Sequence, residues 1–401
     1  MKIGILREGK IPPDKRVVLS PAQCDFIQSK YPQIELVIQP SKVRKFIDHE
    51  YSDLGLKLQE NLSDCDILCG IKEVRKTDLI PNKTYLFFSH TIKEQSYNRD
   101  LLKKILALNI RMVDYESLTN KKGNRVIGFG RYAGIVGCYN AFLAYGKRTS
   151  RFYLKPANLC KDRIELEQEL KKINLPPIKI VVTGTGRVGR GIIELLDIIG
   201  LKKVSKQEFF TNKFNEAVFV QLDTLDYNTR INGEPSDFSH FCKYPLEYRS
   251  DFMKYAKVSD LFIAGHFYGS DSPYLFTRSD AKSPDFKIRT IADISCDING
   301  PIASTLRAST ISDPLYGYNP QTEAEDVFNK QEVITVMAVD NLPCELPKDA
   351  SSDFGQEFIL HVLPSLIGED QDDIIHRATI CANGKLTDGF QYLSSYVNDS
   401  N

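Results

Sequence analysis

Short apolar runs alternate with amphipathic stretches along most of the chain, and the two periods predict strands and helices in turn. KIGIL (2–6), IELVIQP (34–40), DILCGIKE (66–73), TYLFFSH (84–90) and RMVDYE (111–116) read as strands. Between them, SPAQCDFIQSKY (20–31) opens with Ser20 as a helix N-cap and Pro21 at the first helical position. NRDLLKKILALNI (98–110) carries apolar residues at helical spacing. This alternation predicts a mainly parallel, doubly wound sheet with helices on its faces.

RYAGIVGCYNAFLAYGKRT (131–149) is an apolar stretch with glycine and alanine, expected to be a helix passing between two domains. Residues 161–174 are charged and helical, and the strand–turn–helix pattern then restarts at IKIVVTGTGRVGRGIIELLDIIG (178–200). DLFIAG (260–265), IRTIADIS (288–295) and VITVMAVD (333–340) supply further strands for a second sheet. Residues 206–258 are long for one connection and are not placed. The amphipathic stretch 349–367 is expected to return to the first domain. The expected fold is therefore α/β, with two Rossmann-like doubly wound domains and an active-site cleft between them. Residues 1–135 with 337–401 form the substrate and catalytic domain, and 136–336 the dinucleotide-binding domain.

The segment 178–200 carries the strongest local chemistry. A β-branched run leads into Gly184-Thr185-Gly186-Arg187-Val188-Gly189 and then into an apolar helix. Gly184 suits the tight turn, Gly186 the approach of backbone amides to a pyrophosphate, and Gly189 close packing of helix on strand. The helix N-terminus, with Arg187 and Val188 in its first turn, favours the phosphates. A Gly-x-Gly-x-x-Gly alone is a weak signal; strand before and helix after make it a strong one. About twenty residues further on, an NAD site places an acidic residue on the ribose. The second strand reads as KKVSKQEF (202–209), so that position falls near Ser205 and Lys206. A hydroxyl beside a cation suits a 2′-phosphate, which favours NADP over NAD, although Glu208 lies close by.

Composition narrows the class. With 52 basic and 52 acidic residues in 401, the formal net charge is zero, so no global field draws nucleic acid or an anionic membrane. No apolar run reaches the roughly 18 residues of a membrane helix. MKIGILREG is too brief and too soon charged for a secretory signal, so a cytoplasmic location is expected. The nine cysteines are an odd number and lack zinc-site spacing, and His240, His266, His361 and His376 have no metal spacing either. No metal is expected. The run TYLFFSH ends an apolar strand in a histidine, and His90 would stand at the carboxyl edge where α/β sheets bind ligands. Taken alone, a histidine there is also compatible with a purely structural role.

KRVVLSP (15–21), GIKE (70–73), TYLFFSHTIKEQ (84–95), NRVIGFGRYAG (124–134), GTGRVG (184–189), ADISCD (292–297) and AVDNLPCELPKDAS (338–351) occur in this order. Together they resemble the lysine-forming saccharopine dehydrogenases and, most closely, the lysine–ketoglutarate reductase part of the bifunctional aminoadipic semialdehyde synthases. The wider superfamily includes alanine dehydrogenase and the transhydrogenase nucleotide domain. The likeness runs from about residue 2 to 395 and fades over 206–258.

The resemblance implies an acid–base pair at Lys72 and His90 and carboxylate-binding arginines at Arg16 and Arg125. It also implies the substrate near Phe129 and the nicotinamide near Val339, Asp340, Asn341 and Leu342. The implied substrates are lysine, 2-oxoglutarate and saccharopine, interconverted through an imine and a hydride transfer with NADP or NAD. Guanidinium forks suit a product with three carboxylates, and histidine with a depressed lysine suits proton transfer near neutrality. Asp14, Glu73 and Glu116 are candidates to orient the pair, or surface and capping carboxylates. Asp293 and Asp297 are candidates to face the cofactor. An alanine-dehydrogenase-like deaminase and an idle nucleotide-binding regulator are the alternatives. Oligomeric state is left open.

Overall fold

The computed structural model describes residues 1–269 and 271–398. The chain divides into two compact units, Met1–Phe129 with Pro347–Asn401 and Gly130–Leu346. These boundaries differ from the expected 135/136 and 336/337. The helix Gly130–Thr149 lies wholly in the second unit instead of passing between two. Packing explains why. A Cβ on Gly134 would lie 2.0 Å from the Val188 carbonyl, and one on Gly191 would lie 2.1 Å from the Arg131 carbonyl. Paired glycines thus let this helix meet the helix Arg187–Ile199 backbone to backbone.

Among the described residues the first unit carries an eight-stranded sheet. Its order is Lys385–Leu386, Thr379–Ala382, Arg111–Asp114, Thr84–Phe87, Ile67–Cys69, Lys2–Ile5, Glu35–Ile38 and Lys57–Leu58. The six strands from the first 115 residues are parallel, and the returning C-terminal strand Thr379–Ala382 adds antiparallel to Arg111–Asp114. Alternation along Thr84–Phe87 shows how the sheet is buried on both faces. Tyr85 and Phe87 pack with Leu101, Leu102 and Ile105 on one face, while Leu86 and Phe88 pack with Phe354 and Phe358 on the other. Helix Pro347–Glu357 therefore belongs to this unit, continued by a π-helical turn Phe358–Val362 and helix Leu363–Ile367.

The second unit repeats the design. Its sheet runs Ala324–Asp326, Leu315–Asn319, Ile334–Met337, Thr290–Asp293, Leu261–Ala264, Lys179–Thr183, Val218–Leu222 and Lys202–Lys203. The last six strands in that order are parallel. Residues 206–258 resolve into helix Lys206–Thr211, strand Val218–Leu222 and a hairpin, Asn228–Arg230 with Tyr248–Ser250, that carries helix Phe238–Lys243. No helix of the described residues is long and apolar enough to cross a membrane.

A buried carboxyl in the second unit makes its stability depend on pH. Glu345 is 3% exposed and accepts from Asn140 Nδ2 at 2.8 Å. Burial pushes its pKa up to about 7, against the opposing hydrogen bonds of Asn140 and the Asn158 backbone. The folded state thus holds this proton more tightly than the unfolded chain. The stabilisation is complete below about pH 4 and is lost as pH rises through 7. Urea unfolding at pH 5 and pH 8 should show wild type losing on the order of 2–4 kcal/mol more than Glu345→Gln over that interval. Equal pH dependence of the two proteins would contradict this assignment.

Candidate active site

In the first unit, the chain leaves Lys2–Ile5 for Glu35–Ile38 on one side and later resumes at Ile67–Cys69 on the other. The crevice at such a reversal, outside the carboxyl ends of the strands, is the favoured binding position in an open α/β sheet. Lys72 leaves the strand Ile67–Cys69 at this edge, and His90 leaves the adjacent parallel strand Thr84–Phe87. Backbone bonds from Gly70 N–H to the Leu86 carbonyl (2.9 Å) and from Phe88 N–H to the Ile71 carbonyl (2.9 Å) keep the two exits in step.

His90 adopts a left-handed conformation at φ 54° and starts a 3-10 turn, Thr91–Lys93. Such a backbone at a non-glycine residue carries strain, so the surroundings must enforce it. The buried Asp114 does so from the end of the next strand. It accepts from the Ser89 N–H at 3.0 Å, from the Ser89 hydroxyl and from the Glu116 N–H at 2.7 Å. Phe88 stacks near the imidazole at 6.4 Å between ring centroids. The apolar strand ending in Ser-His-Thr is therefore a buried support whose end projects a histidine.

Glu73 fixes the orientation of that histidine. Its Oε1 lies 2.6 Å from His90 Nδ1, and its Oε2 accepts from Lys10 Nζ at 3.2 Å. Burial alone would raise the Glu73 carboxyl, but the His90 hydrogen bond and charge, with Lys10, hold it down to about 2. Glu73 is thus a carboxylate throughout the neutral range and an acceptor only. Nδ1 then carries the proton, leaving Nε2 for exchange with a ligand. Lys72 is shifted below the usual lysine range by burial first, then by Arg16 and Lys10, with Asp14 and Glu73 opposing. Groups separated by tens of residues thus share one electrostatic environment.

Arg16 is buried at 3% exposure and forks onto Asp14, with Nε to Oδ1 at 3.0 Å and Nη2 to Oδ2 at 2.6 Å. Its guanidinium also lies 4.1 Å over the Phe129 ring, which stacks on Phe354 at 4.5 Å. Arg16 and Phe129 are therefore brought together. Arg125 is exposed instead and contacts Glu116 at 3.1 Å. Of the three carboxylates weighed as orienting groups, Glu73 bonds His90, Asp14 bonds Arg16, and Glu116 bonds Arg125.

The second unit has its own reversal, between Lys179–Thr183 and Leu261–Ala264. Gly184 has φ +98°, and a Cβ there would lie 2.3 Å from the Gly265 carbonyl. A Cβ on Gly189 would lie 2.2 Å from the Gly184 carbonyl, whereas one on Gly186 would meet nothing within 4 Å. Two glycines are thus demanded by packing, and the middle one borders open space. Gly186 is the N-cap of helix Arg187–Ile199, with Arg187 and Val188 in its first turn. This arrangement fits a pyrophosphate received on helix N–H groups. His266 follows Gly265 and lies with Nδ1 2.7 Å from the Thr183 hydroxyl. Burial lowers it to about 4, so it is neutral, and its buried Nε2 has no hydrogen-bond partner.

The segment expected to face a ribose is built differently. Residues 202–209 are not the strand beside the glycine turn. Only Lys202–Lys203 is extended, at the sheet edge, and Lys206–Thr211 is a helix. Ser205 caps that helix by accepting from the Glu208 N–H at 3.2 Å, and Lys206 pairs with Asp226. The strand next to Lys179–Thr183 is Val218–Leu222, and Asp223 follows it. Asp223 Oδ1 lies 3.4 Å from the Thr185 hydroxyl of the glycine turn. Sequence reasoning missed this carboxylate because an added edge strand and helix precede its strand. The alternating FVQLD itself was the available signal.

Val339 to Leu342 follow the parallel strand Ile334–Met337 at the same carboxyl edge of this sheet. Asp340 is exposed, and its N–H donates to the Ser309 carbonyl at 3.2 Å; Asn341 is left-handed at φ 63°, while Val339 and Leu342 are buried. Asp293 is a loop organiser, accepting from Thr305 at 2.6 Å and from Ser295 at 2.9 Å. Among the described residues, no group of three or more His, Cys, Asp or Glu is arranged to hold a metal.

Residues 4–136 match the family model described as alanine dehydrogenase/PNT, N-terminal domain. The chain is 28% identical over 407 residues to the mitochondrial alpha-aminoadipic semialdehyde synthase of Mus musculus, covering 90% of this chain and 44% of that protein. It thus spans less than half of that relative. It is 26% identical over 385 residues to the Schizosaccharomyces pombe saccharopine dehydrogenase (NAD(+), L-lysine-forming), covering 90% and 91%. Among solved structures, an L-alanine dehydrogenase superposes with TM-score 0.67 at 14% identity, covering 99% of this chain and 100% of that one. The transhydrogenase of Sinorhizobium meliloti gives 0.57 at 11% identity, covering 96% and 99%. The fold is therefore the alanine-dehydrogenase-like pair of Rossmann-type units. In motifs and sequence the chain is therefore similar to the lysine-forming saccharopine dehydrogenases and the aminoadipic semialdehyde synthases, and its residues 4–136 match the alanine dehydrogenase/PNT N-terminal domain.

Proposed function

We propose that this protein is a nicotinamide-dependent oxidoreductase that interconverts lysine plus 2-oxoglutarate with saccharopine. The observation that carries this reading is the Glu73–His90 hydrogen bond beside a depressed Lys72 and the Arg16–Phe129 contact. In the reductive direction the ε-amine of lysine adds to the 2-oxoglutarate carbonyl, and loss of water gives an imine. A bound reduced nicotinamide supplies the hydride that the imine carbon accepts. His90 Nε2 takes the proton from the adding amine and returns one to the departing hydroxyl. Lys72 exchanges the second proton, which its lowered pKa brings toward the working range. Glu73 stays ionised and keeps the ring in one tautomer. Arg16, rigid between Asp14 and Phe129, is the anchor for a substrate carboxylate, and exposed Arg125 is the second.

Steady-state oxidation of the reduced cofactor with lysine plus 2-oxoglutarate tests this reading, against ammonia plus pyruvate as the alanine-type pair. Turnover should be confined to the first pair. His90→Met and Lys72→Met should each lower kcat by roughly 10²–10⁴ and remove one limb of its pH profile. Cofactor affinity should change little, since the glycine turn is built by other residues. Full turnover in His90→Met with an unchanged profile, or preference for the alanine-type pair, would refute the assignment.

We infer further that the cofactor is NAD. Asp223 beside the glycine turn is suited to accept from ribose hydroxyls and to repel a 2′-phosphate. Ser205 and Lys206, on which NADP was favoured, are engaged by Glu208 and Asp226. Loss of a hydrogen bond to a charged group costs about 1.5–3 kcal/mol. Asp223→Ser should therefore weaken NADH about 10- to 100-fold in a fluorescence titration and leave NADPH equal or tighter. An equal loss for both cofactors would count against NAD, as would tighter NADPH than NADH binding by the wild type.

A further inference from the structure

We propose that Glu8 is the positioning residue for Lys72, a carboxylate that clamps the backbone from which the lysine projects. This inference rests on the proposed function of the same site. Glu8 lies just beyond strand Lys2–Ile5, across the reversal from Lys72. Its Oε1 accepts from the Ile71 N–H at 2.7 Å and its Oε2 from the Lys72 N–H at 2.8 Å. The strands flanking the crevice have no ladder partners for these two amides, because their pairing stops at Ile5 and Cys69. The side chain therefore takes over where the sheet ends. The two bonds hold the successive peptides Gly70–Ile71 and Ile71–Lys72, and so fix the course of the backbone into Lys72, which a single acceptor would not do.

The surroundings keep this clamp near its titration point. Burial pushes Glu8 up to about 7, with Asp14 adding to the rise, while the two N–H donors and Arg16 oppose it. The Tyr115 phenol is also coupled to it, and Lys10, Asp14, Arg16 and Glu73 act in turn on Lys72. Protonation of Glu8 converts one acceptor oxygen into a donor facing an N–H, so the clamp holds in full only when ionised. Glu8→Gln imposes the same conflict permanently at nearly constant volume.

The test combines the amide signals of Ile71 and Lys72, followed by ¹⁵N NMR across pH 5–9, with kinetics of the same proteins. In wild type both amides should titrate together with a midpoint near 7; in Glu8→Gln they should be displaced and flat. Glu8→Gln should lower kcat at least tenfold, with the Kd for NADH within twofold of wild type and a shifted Lys72 limb in the pH profile. Glu8→Asp, one methylene short, should restore the amide titration only in part and recover kcat in proportion. Unmoved amide signals in Glu8→Gln overturn the proposal. So do displaced amides with unchanged kcat and pH profile. A wild type inactive with lysine plus 2-oxoglutarate but showing the paired amide titration refutes the proposed reaction and leaves the clamp standing.

Discussion

Parallel strands fed from one end and reversed in order leave a crevice that no backbone crosses, and both units are organised around that constraint. In the first, the chain turns one way after Lys2–Ile5 and the other way at Ile67–Cys69. In the second, it does so between Lys179–Thr183 and Leu261–Ala264. At each gap the backbone has lost its ladder partners, and polar groups must be satisfied by side chains or by a ligand. The first unit uses carboxylates there: Glu8 on the amides after Ile67–Cys69, Asp114 on Ser89, Glu73 on His90. The second uses glycines, which bring Gly184 against Gly265 and leave the approach to Gly186 open. One topology thus presents ionisable chemistry in one unit and an open approach to a glycine turn in the other.

Electrostatics then separates the roles of chemically similar groups. Glu73 and Glu8 are both glutamates near the same strand ends, yet one is held down to about 2 and the other rises to about 7. Burial raises both, most of all Glu8, and the rest of the difference lies in what each carboxylate meets. Glu73 bonds an imidazole and an ammonium, whereas Glu8 bonds only neutral amides and faces Asp14. A permanent anion is suited to fix a tautomer, and a carboxylate near its titration point is suited to report on pH. Lysine depression by burial, Arg16 and Lys10 follows the same physics with the sign reversed.

Much of this was legible before the fold was known, and the remainder was hidden for physical reasons. Alternating periods located most strands, Ser20-Pro21 marked a helix start, and the glycine spacing marked the turn into helix Arg187–Ile199. The reading failed where an edge element interrupts the pattern. KKVSKQEF has almost no apolar content, so its strand character was borrowed from its position, although Ser205 and Glu208 form a capping box that signals a helix. The carboxylate beside the glycine turn, Asp223, then lay one strand further along. The stretch 131–149 was expected to pass between two domains because it precedes the restart of the strand–turn–helix pattern, whereas Gly134 seats its helix on Arg187–Ile199 within one unit. Glu8 was invisible because its partners lie 63 and 64 residues away and meet it only through strand order.

We propose that Glu73 commits His90 Nδ1 and leaves Nε2 to exchange protons with substrate. Ring ¹⁵N spectra of histidine-labelled protein test it directly, with Glu73→Gln used to assign His90 among the six histidines. Neutral His90 should carry its proton on Nδ1, and adding saccharopine should shift the Nε2 resonance while the Nδ1 proton stays in place. A neutral ring protonated on Nε2, or a His90 signal indifferent to saccharopine, would contradict it.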